Sequence, residues 1–282
     1  MICIESTPAA KCGQYNPAGA AVTLPPSTVP IFADLRGKIA IVTGGSRGIG
    51  AETCLALARN GVKVAINGRD QAAVQATVQA IGAIHGEAIA APADCAQLCS
   101  VEAMRDRVHV ELGVPDFVVA FAGGGTGRPM PLEQITEEDW RSSIDNNLTS
   151  TFFTLKCFLP AMIARCAGCI VTMASAGGRV AAGAPAGYGA AKAGVIMLTR
   201  HLAHEAGKYD VRVNCVSPSA VLTERTRQTI SDEQEQQMRA AFPLGRLGHP
   251  RDVAAATLFL LSSASSWITG ATLDLTGGRV MS

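Results

Sequence analysis

Tyr188-Gly-Ala-Ala-Lys192 is the segment in which residue type and spacing point most directly to chemistry. On a helix these two side chains stand four residues apart on one face, so phenol and ammonium are neighbours. A phenol ordinarily holds its proton to about pH 10. An adjacent cation favours the phenolate and brings that proton within range of general acid–base transfer near neutrality. A carbonyl oxygen needs such a proton as hydride reaches its carbon. Ser175 precedes Tyr188 by thirteen residues, at the end of an apolar run over 170–175. A hydroxyl at the C-terminal end of a strand borders the crevice in which open α/β sheets bind ligands.

A second constellation binds rather than reacts. Thr43-Gly-Gly-Ser-Arg-Gly-Ile-Gly50 lies between an apolar run and a helical pattern. Missing Cβ atoms let the backbone approach a pyrophosphate, and the helix N-terminus supplies unpaired N–H groups and a positive dipole end. The next apolar run ends in Ile66-Asn67-Gly68-Arg69, without the acid that would bond the ribose hydroxyls of NAD. Asp70 comes one residue late and reads as a helix N-terminal residue. Arg47 and Arg69 put two guanidinium groups where a 2′-phosphate would sit. The expected cofactor is therefore NADPH/NADP+, with NADH second.

These residues need strands and helices to hold them. The periodicity predicts strands over 38–43, 62–66, 88–91, 117–121, 169–173, 211–216 and 272–275. They alternate with helices over 49–59, 70–84, 100–112, 137–165, 188–206, 232–241 and 251–262. Apolar strands alternating with helices over short connections predict an α/β fold: one doubly wound parallel sheet with helices on both faces. Residues 34–282 form that single domain. Residues 1–33, rich in proline and without apolar periodicity, read as an irregular N-terminal extension and show neither a signal nor a transit pattern.

Composition narrows the partners. Lys and Arg number 24 against 23 Asp and Glu, so no basic surplus suggests nucleic acid. The longest apolar runs fall far short of the ~20 residues of a membrane span. Nine Cys, mostly in apolar segments, read as free thiols of a reducing cytoplasm. Cys166-Ala-Gly-Cys169 has no second half, and His201 and His204 do not form a zinc motif, so no metal is expected.

The Thr43–Gly50 spacing, T-G-x-x-x-G-x-G, and the Tyr188/Lys192 pair together resemble the short-chain dehydrogenase/reductase family, over residues 34–282. The overall texture is similar to its 3-oxoacyl-carrier-protein reductase-like branch. The resemblance implies a Rossmann-type fold and reversible reduction of a ketone or aldehyde to an alcohol. It implies Tyr188 as general acid, Lys192 also holding the nicotinamide ribose, and Ser175 polarising the substrate. Asn147 would join a proton relay through water to the lysine. Cofactor contacts are implied for Gly44, Ser46, Arg47, Gly48, Ile49 and Gly50 of the turn, and for Arg69. Asp94 would meet the adenine edge. Ala122 and Gly123 would offer backbone, and Pro218, Val221 and Thr223 would meet the nicotinamide end. The family's N-N-A-G stands here as Ala120-Phe-Ala-Gly123, so both Asn side chains are absent, the first of which ties adjacent strands together in the family, and Ser219 replaces a usual glycine.

Residues 222–247 would form a lid whose Leu222, Ile230, Met238, Phe242 and Leu244 either line a pocket or pack the lid down. Arg128 and Arg179 flank the site, as contacts for an anionic group or as solvated charges. Relatives are usually tetramers or dimers built on helices around 137–165 and 187–208, so a homotetramer or homodimer is expected. A non-catalytic dinucleotide-binding regulator and an enoyl-type C=C reductase are the two other readings. The complete catalytic set argues against the first, and the unvaried Tyr/Lys spacing against the second.

Overall fold

The strands are short apolar runs, and each alternates its side chains between two faces. In β1 (Ile39–Thr43) Ala40 and Val42 face one way and Ile41 the other. In β2 (Lys63–Ile66) Val64 and Ile66 oppose Ala65. In β4 (Phe117–Ala120) Phe117 and Val119 oppose Val118 and Ala120. Strands apolar on both faces must be covered on both, which requires helical crossovers and parallel pairing. The computed structural model, which describes residues 29–124, 129–181 and 183–281, has that form.

With β3 (Ala88–Ala90), β5 (Gly168–Met173), β6 (Val211–Pro218) and β7 (Thr272–Leu275), the seven strands form one sheet in the order β3-β2-β1-β4-β5-β6-β7, every pair parallel. One face is covered by α1 (Gly48–Arg59), α2 (Gln71–Gly82) and α9 (Pro250–Leu261), through Leu57, Val74, Ile81 and Leu258. The other is covered by α3 (Leu98–Glu111), α5 (Ser150–Ala164) and α6 (Ala186–Ala206), through Met104, Phe158, Met162 and Leu202. No helix among the described residues is long and apolar enough to cross a membrane.

Two elements differ from the sequence reading. The helix expected over 137–165 is α4 (Glu137–Ile144), one π-helical turn over Asp145–Thr149, and α5. The wider turn carries Asn147, whose side chain bonds outside the helix, and such turns recur at functional sites. A six-residue helix, α7 (Glu224–Thr229), precedes α8 (Asp232–Ala240). Its sequence, ERTRQT, has no apolar stripe to reveal it. Asp70 caps α2 as expected, accepting from the Ala73 N–H at 3.1 Å.

The folded body includes residues on the near side of position 34. Phe32 N–H donates to Asn60 Oδ1 at 2.7 Å, and Asn60 Nδ2 donates to the Pro30 carbonyl at 3.0 Å. Val29 and Phe32 pack against the core under α1. Residues 1–28, most of the expected extension, lie outside the described residues. Deleting residues 1–28 is expected to leave the thermal unfolding midpoint unchanged. Deleting through residue 33 strips buried Asn60 of two partners and should lower unfolding free energy by about 1–3 kcal/mol. Calorimetry and urea denaturation of the two truncated chains check this.

Candidate active site

The site is assembled at the C-terminal ends of the strands. β1 ends at Thr43, and Gly44–Arg47 turn the chain into α1. Gly44 has φ +67°, and a Cβ there would lie 2.7 Å from the Phe121 carbonyl oxygen. A Cβ on Gly50 would lie 2.0 Å from the Gly44 oxygen. Only glycine permits this turn to fold against itself and leave its outer edge open. Arg47 at the N-cap of α1 makes no side-chain capping bond, so the first-turn N–H groups and the positive dipole end remain available to an anion. This cradle fits a dinucleotide pyrophosphate.

The expected adenosine end lies beyond β2. A Cβ at Gly68 would meet Ser46 Oγ at 2.7 Å and Val74 Cγ2 at 3.0 Å, so packing leaves no room for the acid that NAD binding would use there. Asp70 is engaged twice, capping α2 and ion-pairing with Arg47. Arg69 is exposed at the cleft. Buried Asn67 donates to the Ala91 and Ala93 carbonyls, each at 3.1 Å, and accepts from Cys95 Sγ–H, setting the loop that carries Asp94. Gly44, Ser46, Arg47, Arg69, Asp94 and Gly123 share one cleft of about 360 Å³.

The reactive end is carried by β5 and α6. Ser175 follows β5, and its hydroxyl accepts the Gly177 N–H at 3.2 Å, with the Tyr188 ring against the same glycine. One turn along α6, Lys192 is 3% exposed and donates to the Met173 carbonyl at 2.8 Å. Its Nζ lies 5.7 Å from the Tyr188 ring centre. The expected pairing is present, but its electrostatics differ from the sequence expectation. Burial raises Tyr188 above the usual phenol range, and it is the Ser175 hydrogen bond that pulls it back. Burial also pushes Lys192 down to about 8. Desolvation penalises the charged form of each, which outweighs their mutual proximity.

Asn147 is fully buried in the π turn. Its Oδ1 accepts the Gly124 N–H at 2.9 Å, while Nδ2 donates to the carbonyls of Gly124 (3.2 Å) and Ser143 (2.9 Å). It therefore fastens the loop after β4. Thr43 Oγ1 accepts the Ala122 N–H at 3.1 Å, a second tie on that loop. Thr43 closes β1 beside the glycines, the one sequence signal that could have found this role. Phe121, in place of a polar residue, is 4% exposed and packs into the core under α1.

Ile49 is half-buried against the same core. Pro218 ends β6, and Val221 bridges to Gly248. Thr223 caps α7 and lies over the first turn of α1, its Cγ2 3.3 Å from where a Gly48 Cβ would stand. Ser175, Tyr188 and Lys192 do not line the 360 Å³ cleft, which runs from the adenosine end to Gly124 and Asn146. A larger groove of about 650 Å³ is lined by Ile230 and Met238 of the expected lid, with Thr229 and Arg279, and by none of the expected catalytic or cofactor residues. Arg179 is not a solvated charge: it pairs with Asp274 of β7 at 3.3 Å, both mostly buried. Arg128 lies outside the described residues. Arg225 lines the cleft and was not foreseen.

A family model described as enoyl-(acyl carrier protein) reductase matches residues 44–279. The chain is 36% identical over 248 residues to the 3-oxoacyl-[acyl-carrier-protein] reductase of Escherichia coli K12, covering 88% of this chain and 99% of that one. A crystal structure of the 3-oxoacyl-[acyl-carrier protein] reductase from Brucella melitensis superposes with TM-score 0.87 at 29% identity, over 94% of this chain and 99% of the other. A 7α-hydroxysteroid dehydrogenase complexed with NADH and 7-oxo glycochenodeoxycholic acid gives TM-score 0.82 at 33% identity, over 88% and 96%.

The depressed Lys192 has a signature in stability. Between about pH 8 and 10.5 the unfolded chain retains a proton that the folded chain has lost. This group's contribution therefore rises with pH across that window and is fully unfavourable below it. The unfolding free energy of wild type relative to Lys192→Met is expected to shift toward wild type by on the order of 3 kcal/mol across the window. Urea denaturation of both chains at each pH reads the difference, and a flat difference contradicts the assignment.

Proposed function

The chain belongs to the short-chain dehydrogenase/reductase family, in its 3-oxoacyl-carrier-protein reductase-like branch, and is an oxidoreductase of that family; on that premise we propose that it reduces a ketone or aldehyde carbonyl to the alcohol with NADPH. The observation that carries this reading is buried Lys192 placed 5.7 Å from the Tyr188 ring on one face of α6, with Ser175 and Tyr188 against the same glycine, Gly177. The bound nicotinamide supplies the hydride. In this reading a substrate oxygen accepts from the hydroxyls of Ser175 and Tyr188. Tyr188 gives up its proton in reduction and takes one in oxidation. Its raised pKa keeps it protonated at neutral pH, the state that reduction requires, so alcohol oxidation rises with pH. That rise belongs to the coupled Tyr188/Lys192 pair rather than to either residue. Lys192 would hold the nicotinamide ribose from its seat on the Met173 carbonyl, and Asn147, fixed by Gly124 and Ser143, would serve the relay by positioning a water rather than by transferring a proton itself.

The preference for NADPH rests on Arg47, Arg69 and the closed space at Gly68. Ser46, Gly48, Ile49, Asp94, Ala122, Pro218, Val221 and Thr223 complete the cofactor contacts in this reading. The protein works in the cytoplasm as a homotetramer or homodimer. The outer faces of α4, α5 and α6, where Trp140, Phe152 and Met197 are partly exposed, are the surfaces available for that assembly.

A panel of ketones, aldehydes and 2-enoyl thioesters assayed with NADPH and NADH tests the reaction class. The enoyl description of the matched family model favours a second reading, C=C reduction, and turnover confined to the enoyl compounds would establish it instead. Tyr188→Phe keeps the ring and removes the transferable proton, so turnover should fall by about 10²-fold or more with NADPH binding retained. Arg69→Ala should weaken NADPH by roughly tenfold while leaving NADH nearly unchanged, since a guanidinium meets only the 2′-phosphate there. Calorimetric titration reads both, and equal losses for the two cofactors contradict the NADPH assignment.

A further inference from the structure

We propose that Arg225, on the lid helix α7, is a ligand of the cofactor pyrophosphate, which thereby bridges the lid to the body of the enzyme. The inference deepens the dinucleotide reading above and rests on it. Arg225 is exposed and lines the 360 Å³ cleft together with Gly44, Ser46 and Arg47 of the phosphate turn, and with Asn146 and Ser150 across from it.

Its place is set by a local hydrogen-bond network. Thr223 Oγ1 accepts the Thr226 N–H at 3.2 Å and shares a 2.9 Å bond with the Thr226 hydroxyl. Thr226 Oγ1 donates in turn to the Val221 carbonyl at 3.1 Å. Arg225 lies within this closed turn. Thr223 itself stands over the Gly48 end of α1, where the helix dipole and free N–H groups await an anion. The base of the Arg225 side chain is thus beside the phosphate position and not at the adenosine end.

Charge supports the same placement. Arg47, the cation of the turn, is matched by Asp70. Two other lid arginines are also matched, Arg239 by Glu235 and Arg246 by Asp252. Arg225 has no ion-pair partner among the described residues and faces a cleft built for an anion. A guanidinium fork suits phosphoryl oxygens in two-point contact. The turn and α1 belong to the body, whereas Arg225 belongs to the lid. A dinucleotide held by both would tie α7 to the phosphate turn.

The pyrophosphate is common to NADH and NADPH, so Arg225 acts on both, unlike Arg69. In the full chain, Arg225→Met is expected to weaken NADPH and NADH alike by roughly tenfold, the scale of one solvent-screened charge-assisted bond. Binding of 2′-AMP, which has no pyrophosphate, should stay at the wild-type value, and Arg225→Lys should recover part of the loss. Calorimetric dissociation constants for the three ligands read these outcomes without reference to turnover, and an unchanged melting midpoint verifies that the variants fold. A loss confined to NADPH assigns Arg225 to the 2′-phosphate and overturns the proposal, as does unchanged binding of both dinucleotides. Wild-type protein that binds neither dinucleotide overturns the dinucleotide reading itself, and this inference with it.

Discussion

The position of β1 between β2 and β4 is the constraint from which the site follows. Parallel strands need crossovers, and the connections leaving the two sides of β1 go to opposite faces of the sheet, opening a crevice at the carboxyl ends. Several of the proposed site residues follow one of those ends, whereas Tyr188 and Lys192 stand on α6 and Asn147 in the π turn. Gly44 follows β1, Arg69 follows β2 and Asp94 follows β3. Gly123 follows β4, Ser175 follows β5 and Val221 follows β6. The residues span more than half the chain, yet the sheet brings their backbones to one edge.

Three polar side chains buried near that edge bond to backbone. Lys192 takes the Met173 carbonyl, Asn147 takes both polar groups of Gly124, and Asn67 takes two carbonyls of the loop after β3. Such bonds hold side chains in one geometry with little freedom to reorganise, which is what precise proton transfer and ligand contact require. The desolvation they entail is visible in Lys192, pushed down to about 8, and in Tyr188, pushed up. Arg179 and Asp274 extend the same principle, pinning the segment after Ser175 to the edge strand β7.

Two core residues, Ala120 and Phe121, stand where the resemblance implies polar side chains, the strand-tying one at Ala120. The aromatic ring of Phe121 joins the hydrophobic core. The loop it leads into is held by the Thr43 hydroxyl from one side and by the Asn147 amide from the other. The backbone of Ala122 and Gly123 therefore still lines the cleft.

Local pattern was enough to identify the strands, the glycine turn and the Tyr188/Lys192 face, because each depends on residues close in sequence and on a fixed period. The doubly wound sheet followed from apolar strands alternating with helices. What local pattern could not determine depends on distant partners. Arg179 looked like a candidate anion contact until β7 supplied Asp274 beside it. The direction of the Tyr188 shift turned on burial, which no spacing reveals. The π turn at Asn147 arises from bonds to a loop more than twenty residues away. Arg225 sits on a helix too polar and too short to be seen, and only folding the lid onto the phosphate turn brings it to the cleft. Secondary structure is encoded in short-range sterics and hydrophobic period; charge state and ligand contact are set by desolvation and by neighbours that only the tertiary fold provides.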